Sequence, residues 1–437
     1  MVLTGRAGLA ALLGAALVGG LVAAGTPALA ALLVVNVAVL ALIGFDVARA
    51  TSPKLLALAR SGDQRVRLGE VASVALDVRN TGARPWRGLL RDAWAPTAGA
   101  TVDGSRTDRC AVDLGPGETV RIPISVRPTR RGDRPTDRVT LRSLGPLGVA
   151  GRQRSLALPW SVRTLPPFSS RRHLPSRLAR LRDLDGRQAI AVRAQGTEFD
   201  SLREYVPGDD VRSIDWRATA RAADVMVRTW RPERDRRVVI VLDTGRTCAA
   251  RIGDETRLDV GMDAALLLAA LAGRAGDRVD LVAHDRRTRV QLSAGSGAAL
   301  LPDLVDALAP LEPELTETDY RGMVSVVLSR VRKRALVVLL VALDRAAMEE
   351  GLLPALPALT ARHTVLVAAT RAPDPDTEHS DVAAAYHDAA AARAALDRAT
   401  VTARLTRMGV VVIDAEPENL APRLADAYLD LKAAGRL

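Results

Sequence analysis

Acidic and basic side chains alternate at short spacings in residues 196–221, GTEFDSLREYVPGDDVRSIDWRATAR. The carboxylates are numerous enough for general-base chemistry or for metal binding: Glu198, Asp200, Glu204, Asp209, Asp210 and Asp215. Between or beside them lie arginines that can neutralise them: Arg203, Arg212, Arg217 and Arg221. We therefore predict an ion-paired, rigid surface element. A hydrolase that uses this carboxylate cluster is kept as an alternative.

Aromatic residues make up only 3% of the chain, yet Phe199, Tyr205 and Trp216 lie in this same stretch. Aromatic side chains combine a large apolar area with few rotatable bonds, which makes them effective anchors at protein contacts. We therefore predict that the stretch joins two domains or binds a partner protein.

The local pattern of the stretch predicts a short helical piece that begins near Asp200. Pro207 and Gly208 interrupt this pattern. A second helical piece is predicted to start after this interruption, with Asp209 or Asp210 as its N-terminal capping residue.

Other catalytic motifs are absent from the sequence. It contains no phosphate-binding loop, no G-x-G-x-x-G turn after a strand and no G-x-S-x-G elbow. The histidines show no H-E-x-x-H spacing, and Cys110 and Cys248 are isolated, as in a reduced chain without a structural zinc ion. We predict that the protein is not an enzyme.

The formal net charge of +11 and the isoelectric point of about 10.6 would permit binding to nucleic acid or to anionic lipid. Lysine occurs only at Lys54, Lys333 and Lys432, so arginine carries nearly all the positive charge. No recognition-helix, zinc-finger or RNA-binding motif accompanies that charge. We predict no nucleic-acid partner.

Two uncharged apolar runs, residues 7–25 and 28–45, are each long enough to cross a bilayer as a helix. Residues 1–50 are therefore predicted to form a transmembrane helical hairpin in the cell membrane. A cleaved signal peptide is the alternative, because residues 28–30 resemble a cleavage box. Positive charge flanks both ends of the hairpin, which predicts cytoplasmic soluble domains by the positive-inside rule; the flanking residues are Arg6, Arg49, Lys54 and Arg60.

The soluble part changes its hydrophobic period along the chain. Over residues 60–165 apolar and polar residues alternate, which predicts a small antiparallel β-sandwich. Residues 166–195 contain clustered proline, serine and arginine and predict a solvated linker, with contact to anionic lipid as the alternative. After residues 196–234, which we call the signature segment, buried strands alternate with helices over residues 235–437. That alternation predicts a doubly wound α/β domain in a multi-domain protein.

The signature segment resembles the characteristic motif of a bacterial family, domain of unknown function 58 (DUF58), G-x-E-F-x-x-[LR]-R-x-Y-x-x-G-D-D-x-R-x-I-x-W-x-x-[ST]-A-R. Residues 127–149 are similar to the arginine-arginine-glycine strand and proline-leucine-glycine turn of that family, and the resemblance covers nearly the whole chain. Gly196, Ile214 and Ala220 match the motif. The other matching residues are predicted to bind a partner or to form a domain junction: Glu198, Phe199, Arg203, Glu204, Tyr205, Gly208, Asp209, Asp210, Arg212, Asp215, Trp216 and Arg221.

The resemblance implies a C-terminal domain like the von Willebrand factor type A domain. It also implies a partner among the MoxR-type AAA+ ATPases, which are commonly encoded beside members of this family. Such pairs are thought to assemble or remodel protein complexes, so the expected function is that of a membrane-anchored adaptor. The alternative from another class is an extracytoplasmic, metal-dependent adhesion or ligand-binding protein.

Type A domains hold a divalent ion with an Asp-x-Ser-x-Ser motif, a threonine from a later loop and a second aspartate. The corresponding residues here are Asp243, Thr247, Thr318 (or Thr316) and Asp344. Gly245 lacks one of the expected hydroxyl ligands, and Arg246 adds a positive charge that disfavours a cation. We expect either no cofactor or magnesium at a degenerate site.

Overall fold

The structure is a computed structural model of the 437-residue chain. It describes residues 1–102, 104, 109–191, 198–222, 224–231, 236–294, 297, 299–373 and 382–437. The chain divides into two compact units, Met1–Leu165 and Pro166–Leu437. Each unit contains its own hydrophobic core.

The first unit begins with two antiparallel helices, α1 (Gly5–Ala23) and α2 (Ala28–Arg49). Their most apolar windows have mean hydropathies of 1.8 and 2.7, so both helices are long and apolar enough to cross a membrane. In the turn between them, Gly25 has φ +93° and follows the end of α1. Pro27 directly precedes the first residue of α2.

Two β-sheets form the rest of the first unit. One contains β1 (Val2–Leu3), β3 (Arg65–Arg67), β5 (Trp86–Trp94), β7 (Arg109–Leu114), β9 (Gly132–Leu144), β10 (Ala150–Leu156) and β11 (Ser161–Leu165). The other has the order β2 (Leu56–Gly62), β4 (Ala72–Asn80), β8 (Thr119–Val126) and β6 (Ala100–Val102). Alternate residues of both sheets share one core, as the sequence period predicts, with Leu76, Trp86 and Leu141 fully buried.

Arg60 lies on β2 inside this unit and not among the flanking charges of the hairpin. Its side chain is 2% exposed and forms two hydrogen bonds of 2.8 Å to the carboxylate of Asp92. The charge of Arg60 is therefore neutralised within the protein. The sequence argument for membrane orientation retains only Arg6, Arg49 and Lys54.

The second unit is built on a sheet with the order β18 (Thr288–Ala294), β17 (Arg278–His284), β14 (Arg237–Asp243), β19 (Leu336–Leu340), β20 (Thr364–Thr370) and β21 (Val411–Ala415). All neighbouring strands are parallel except β17 and β18. The helices are α5 (Arg257–Arg274), α6 (Leu300–Leu308), α7 (Tyr320–Arg330), α8 (Arg345–Ala347), α9 (Leu353–Thr360), α10 (Val382–Arg407) and α11 (Pro417–Ala433). A short ribbon, β15 (Arg251–Ile252) and β16 (Glu255–Thr256), precedes α5.

Helices cover both faces of this sheet. Val239 and Val241 of β14 belong to the core that includes the apolar residues of α7 and α9. Leu242 points to the opposite face, where Gly261 of α5 approaches it. Because helices cover both faces of the sheet, the central strands are continuous apolar runs in the sequence. These runs made the alternation of strands and helices predictable.

Of residues 166–195, predicted to be a linker, the structure describes 166–191, and these are largely helical. Helix α3 (Leu174–Ala191) follows a 3-10 turn at Ser169–His173, in which the Ser170 amide donates to the Asp263 carboxylate of α5. Arg177 and Arg180 pair with Asp426 and Asp430 of α11 at 2.9 and 2.5 Å. Arg177 and Arg180 therefore attach this segment to α11, whereas a solvated connector would have no such attachment.

Candidate functional site

The signature segment forms a β-hairpin, not the predicted helical start. Strand β12 (Glu198–Glu204) pairs with β13 (Met226–Arg231), so that Glu198 and Phe199 lie opposite Arg231 and Trp230. The pairing joins residues far apart in the sequence, which a local pattern does not reveal. Gly196, at the start of the predicted motif, lies outside the described residues.

The turn after β12 is held by an ion pair. Arg203 donates to Asp209 at 2.5 Å and to the Glu204 carbonyl at 3.0 Å. The other Asp209 oxygen accepts the Val206 amide at 3.0 Å. Gly208 has φ +110°, a conformation that favours glycine, so the turn requires this residue.

Two further carboxylates cap the short helical turns between the strands. Asp210 accepts the Arg212 amide at 3.0 Å. Asp215 accepts the amides of Arg217 and Ala218 at the start of α4 (Trp216–Thr219), and Arg228 of β13 donates to it at 2.7 Å. These contacts fix α4 to the hairpin.

The arginine partners keep two of these carboxylates ionised. The hydrogen bond from Arg203 lowers the pKa of Asp209. The hydrogen bond from Arg228 and the capping amides lower the pKa of Asp215. Ionised, fully engaged carboxylates suit a rigid surface element better than they suit general acid catalysis.

Trp216, the first residue of α4, projects into solvent, with 69% of its surface exposed. Tyr205 is half-buried, and its amide donates to the Val225 carbonyl at 2.7 Å. Four more apolar side chains of the segment are exposed: Leu202, Val206, Val211 and Val225. Apolar side chains concentrated on such a small element are typical of an interaction surface.

The remaining predicted residues of the segment lie at its surface. The side chains of Glu204, Arg212 and Arg221 are exposed and form no ion pair with another described residue. Within the described parts of the chain, no three acidic, histidine or cysteine side chains are gathered so as to hold a metal ion. Asp209, Asp210 and Asp215 therefore act as a separate ion pair and as helix caps rather than as one cluster.

A second candidate site lies at the carboxyl end of β14, where Asp243 is fully buried and accepts four hydrogen bonds. One carboxylate oxygen accepts the Gly245 amide at 2.8 Å and the Thr318 hydroxyl at 2.5 Å. The other accepts the hydroxyls of Thr247 at 3.4 Å and Tyr320 at 3.0 Å. The structure thus brings together three of the four predicted ligand residues and adds Tyr320.

Burial governs the protonation of this site. It raises the pKa of the Asp243 carboxyl, although the hydrogen bonds from Thr318, Gly245 and Tyr320 act in the opposite direction. Burial and the nearby Asp243 charge raise the pKa of the Tyr320 hydroxyl, so Tyr320 remains a donor.

A cleft of about 340 Å³ opens above these residues. Its lining includes Thr247, Thr318 and Tyr320, and also Asp344 beyond the end of β19. It lies where the strand order reverses between β14 and β19, the place where open α/β sheets bind ligands. Asp344 accepts the Ala347 amide at 3.1 Å and so caps α8.

These residues do not fit a magnesium ion in this arrangement. A carboxylate offers about four lone-pair positions, and four donors already occupy those of Asp243. A side chain carrying the missing hydroxyl at position 245 would have to displace Thr318, because its β-carbon would collide with the Thr318 hydroxyl oxygen. Thr318 therefore occupies the space of the absent side chain.

We expect Gly245→Ser to displace Thr318 from Asp243 and to lower the free energy of unfolding by about 1–3 kcal/mol. Urea denaturation of the detergent-solubilised chain measures this change. Adding Thr318→Ala to Gly245→Ser removes the colliding hydroxyl and should restore part of the loss. A Gly245→Ser protein as stable as the wild type would contradict this description.

Residues 201–381 match the family model described as "Protein of unknown function DUF58". This match supports the predicted relationship to the DUF58 family. The DUF58 match begins within β12 and includes the Arg203–Asp209 pair, Trp216 and the strands from β14 to β20. It is narrower than the resemblance in the sequence suggests, because the helical hairpin and the β-sandwich lie outside the matched residues.

No curated protein matches the chain. Solved structures with similarity include Escherichia coli alpha-2-macroglobulin activated by porcine elastase, at 18% identity and a TM-score of 0.20. That match covers 25% of this chain and 9% of the alpha-2-macroglobulin chain. A CARDB domain from Pyrococcus furiosus (18% identity, TM-score 0.17) and a FixG-related protein from Vibrio parahaemolyticus (9% identity, TM-score 0.17) each match 25% of this chain. These matches cover 86% and 96% of those two chains. At these TM-scores the similarities carry no structural argument.

Proposed function

We propose that this chain is a non-enzymatic, membrane-anchored adaptor that binds a MoxR-type AAA+ ATPase through the signature segment and serves the assembly or remodelling of protein complexes. The proposal rests on one observation: Trp216 is exposed on a β-hairpin and short helix whose conformation is held by ion pairs and helix caps. Tryptophan is, with tyrosine and arginine, one of the residue types enriched among the side chains that dominate protein interfaces. The MoxR partner rests on the DUF58 resemblance.

The two alternatives receive less support from the contacts. A hydrolase would need a free, gathered set of carboxylates, whereas Asp209 and Asp215 are each engaged by an arginine and by backbone amides. An adhesion protein would need an ion at Asp243, whose lone pairs are filled by other donors.

We further propose that the second unit is a von Willebrand factor type A-like domain. Its largely parallel sheet is covered by helices on both faces and carries an aspartate at the end of the central strand β14. In this proposal the cleft beside Asp243 is a protein-binding face that works without a metal ion.

The anchor is the hairpin α1–α2, and the soluble domains face the cytoplasm. Arg6, Arg49 and Lys54 flank the ends of the hairpin, whereas the turn between the helices is uncharged. The sharpest test places cysteines on either side of the membrane.

Leu315→Cys introduces a thiol at a side chain that is 78% exposed in the second unit. In intact cells we expect a membrane-impermeant maleimide to leave this thiol unmodified and to modify it after lysis. Cys248 is a poor probe, because it is buried and burial raises its pKa. Thr26→Cys, in the turn between the helices, is the matched control and should react without lysis. Labelling of Leu315→Cys in intact cells would overturn the orientation.

Affinity capture tests the adaptor function itself. The full chain is recovered in mild detergent from its native host, and the retained proteins are identified by mass spectrometry. We expect a MoxR-type ATPase with the wild type and with Leu315→Ala, and its loss with Trp216→Ala. Failure to recover such an ATPase with the wild type would remove the main support of the proposal.

A further inference from the structure

Both ends of the helical hairpin are clamped to one turn of the β-sandwich, residues 145–150. Near the end of α2, buried Asp46 accepts the amides of Leu147, Val149 and Ala150 at 2.7–2.9 Å. Before α1, the Thr4 hydroxyl lies 2.6 Å from the Gly148 carbonyl. The turn accommodates Asp46 only because residue 145 is glycine, where a β-carbon would collide with the carboxylate. The helices therefore fix the orientation of the sandwich rather than tether it loosely.

Exposed cations surround this clamp. Arg6 lies in the first turn of α1, Arg49 ends α2 and Lys54 follows α2. Arg84 lies in a loop that is tied to the same place, because the Thr51 hydroxyl donates to the Pro85 carbonyl at 2.9 Å. We call Arg6, Arg49, Lys54 and Arg84 the basic surface.

Among the residues that the structure describes, few acids oppose these cations. Asp46 is buried and satisfied by three amides. Glu118, in the neighbouring loop, is exposed and accepts the Gly115 amide at 2.7 Å. Leu55 and Leu147, 40% and 42% exposed, add apolar side chains to this end of the sandwich. The combination of excess positive charge and exposed leucines suits the boundary between lipid headgroups and acyl chains.

We propose that the basic surface binds the headgroups of anionic phospholipids in the leaflet where α1 and α2 emerge. The inference rests on the proposed membrane anchoring, because the helix ends set the depth of the bilayer surface. The Asp46 clamp holds the basic surface at that depth. Lipid charge thereby helps to fix the orientation of the sandwich on the membrane.

Lys54 and Arg84 provide the test, because their side chains make no hydrogen bond or ion pair with another described residue. The full chain in neutral detergent is titrated with short-chain phosphatidylglycerol or phosphatidylcholine, and its unfolding temperature reports binding. We expect selective stabilisation by phosphatidylglycerol. Lys54→Gln with Arg84→Gln should weaken the apparent affinity roughly 30-fold, and salt should weaken it in the wild type.

The matched control is Arg127→Gln with Arg130→Gln, which removes the same charge from the opposite end of β8, roughly 25 Å away. This control should bind phosphatidylglycerol like the wild type, and so should the charge-preserving Lys54→Arg with Arg84→Lys. Equal stabilisation by both lipids, or equal loss in the control, would overturn the inference. If the chain still sediments with membranes in that case, the anchoring stands; a chain that is soluble without detergent would refute the anchoring instead.

Discussion

Replacing Asp46 with alanine is expected to lower the free energy of unfolding of the first unit by roughly 3–5 kcal/mol. The carboxylate is fully buried and accepts three backbone amides of the turn at residues 145–150. Its removal leaves the amides of Val149 and Ala150 without a partner in a buried site, and each unsatisfied buried donor is costly. Thermal unfolding of the chain in detergent, followed by circular dichroism, should show a clearly lower transition.

Two variants give this prediction its controls. Asp46→Asn keeps one acceptor oxygen and should retain part of the stability. Asn36→Ala removes another polar side chain of α2, whose amide donates to the Leu32 carbonyl within the same helix, and should change little. An Asp46→Ala protein that unfolds at the wild-type temperature would show that the clamp contributes nothing.

Trp216→Ala is expected to weaken binding of the proposed ATPase partner by a factor of about 30 or more, the effect of losing a central interface tryptophan. The side chain is 69% exposed, so its truncation removes little packing within the chain. Asp215 and Arg228 hold its backbone in place and remain in the variant. The loss would therefore report on the interface and not on folding.

The architecture was largely readable from local patterns. Continuous apolar runs marked β14, β19 and β20 because helices bury both faces of that sheet. Alternation marked β4 and β8 because only one face of each lies in the sandwich core.

What the sequence did not reveal depends on pairing over distance. Strand β12 has a helix-like spacing, but it is a strand because its residues pair with β13, as Glu204 does with Met226. The arginines of α3 read as a solvated segment because their acidic partners lie some 250 positions away, such as Asp426 for Arg177.

For the candidate sites, too, the sequence predicted only part of the structure. The motif placed Asp243, Thr247 and Thr318 together, as the structure does. Tyr320 was missed, although a rare tyrosine two positions after Thr318 was a usable signal. Asp46 was also missed, although a lone acid near the end of an apolar helix was a usable signal.

The most direct measurement is the dissociation constant between the purified full chain, in detergent, and the purified MoxR-type ATPase of the same host. We predict saturable binding by the wild type, unchanged binding by Leu315→Ala and at least about 30-fold weaker binding by Trp216→Ala. Absence of binding by the wild type, or equal affinity of Trp216→Ala and the wild type, would contradict an adaptor that works through its signature segment.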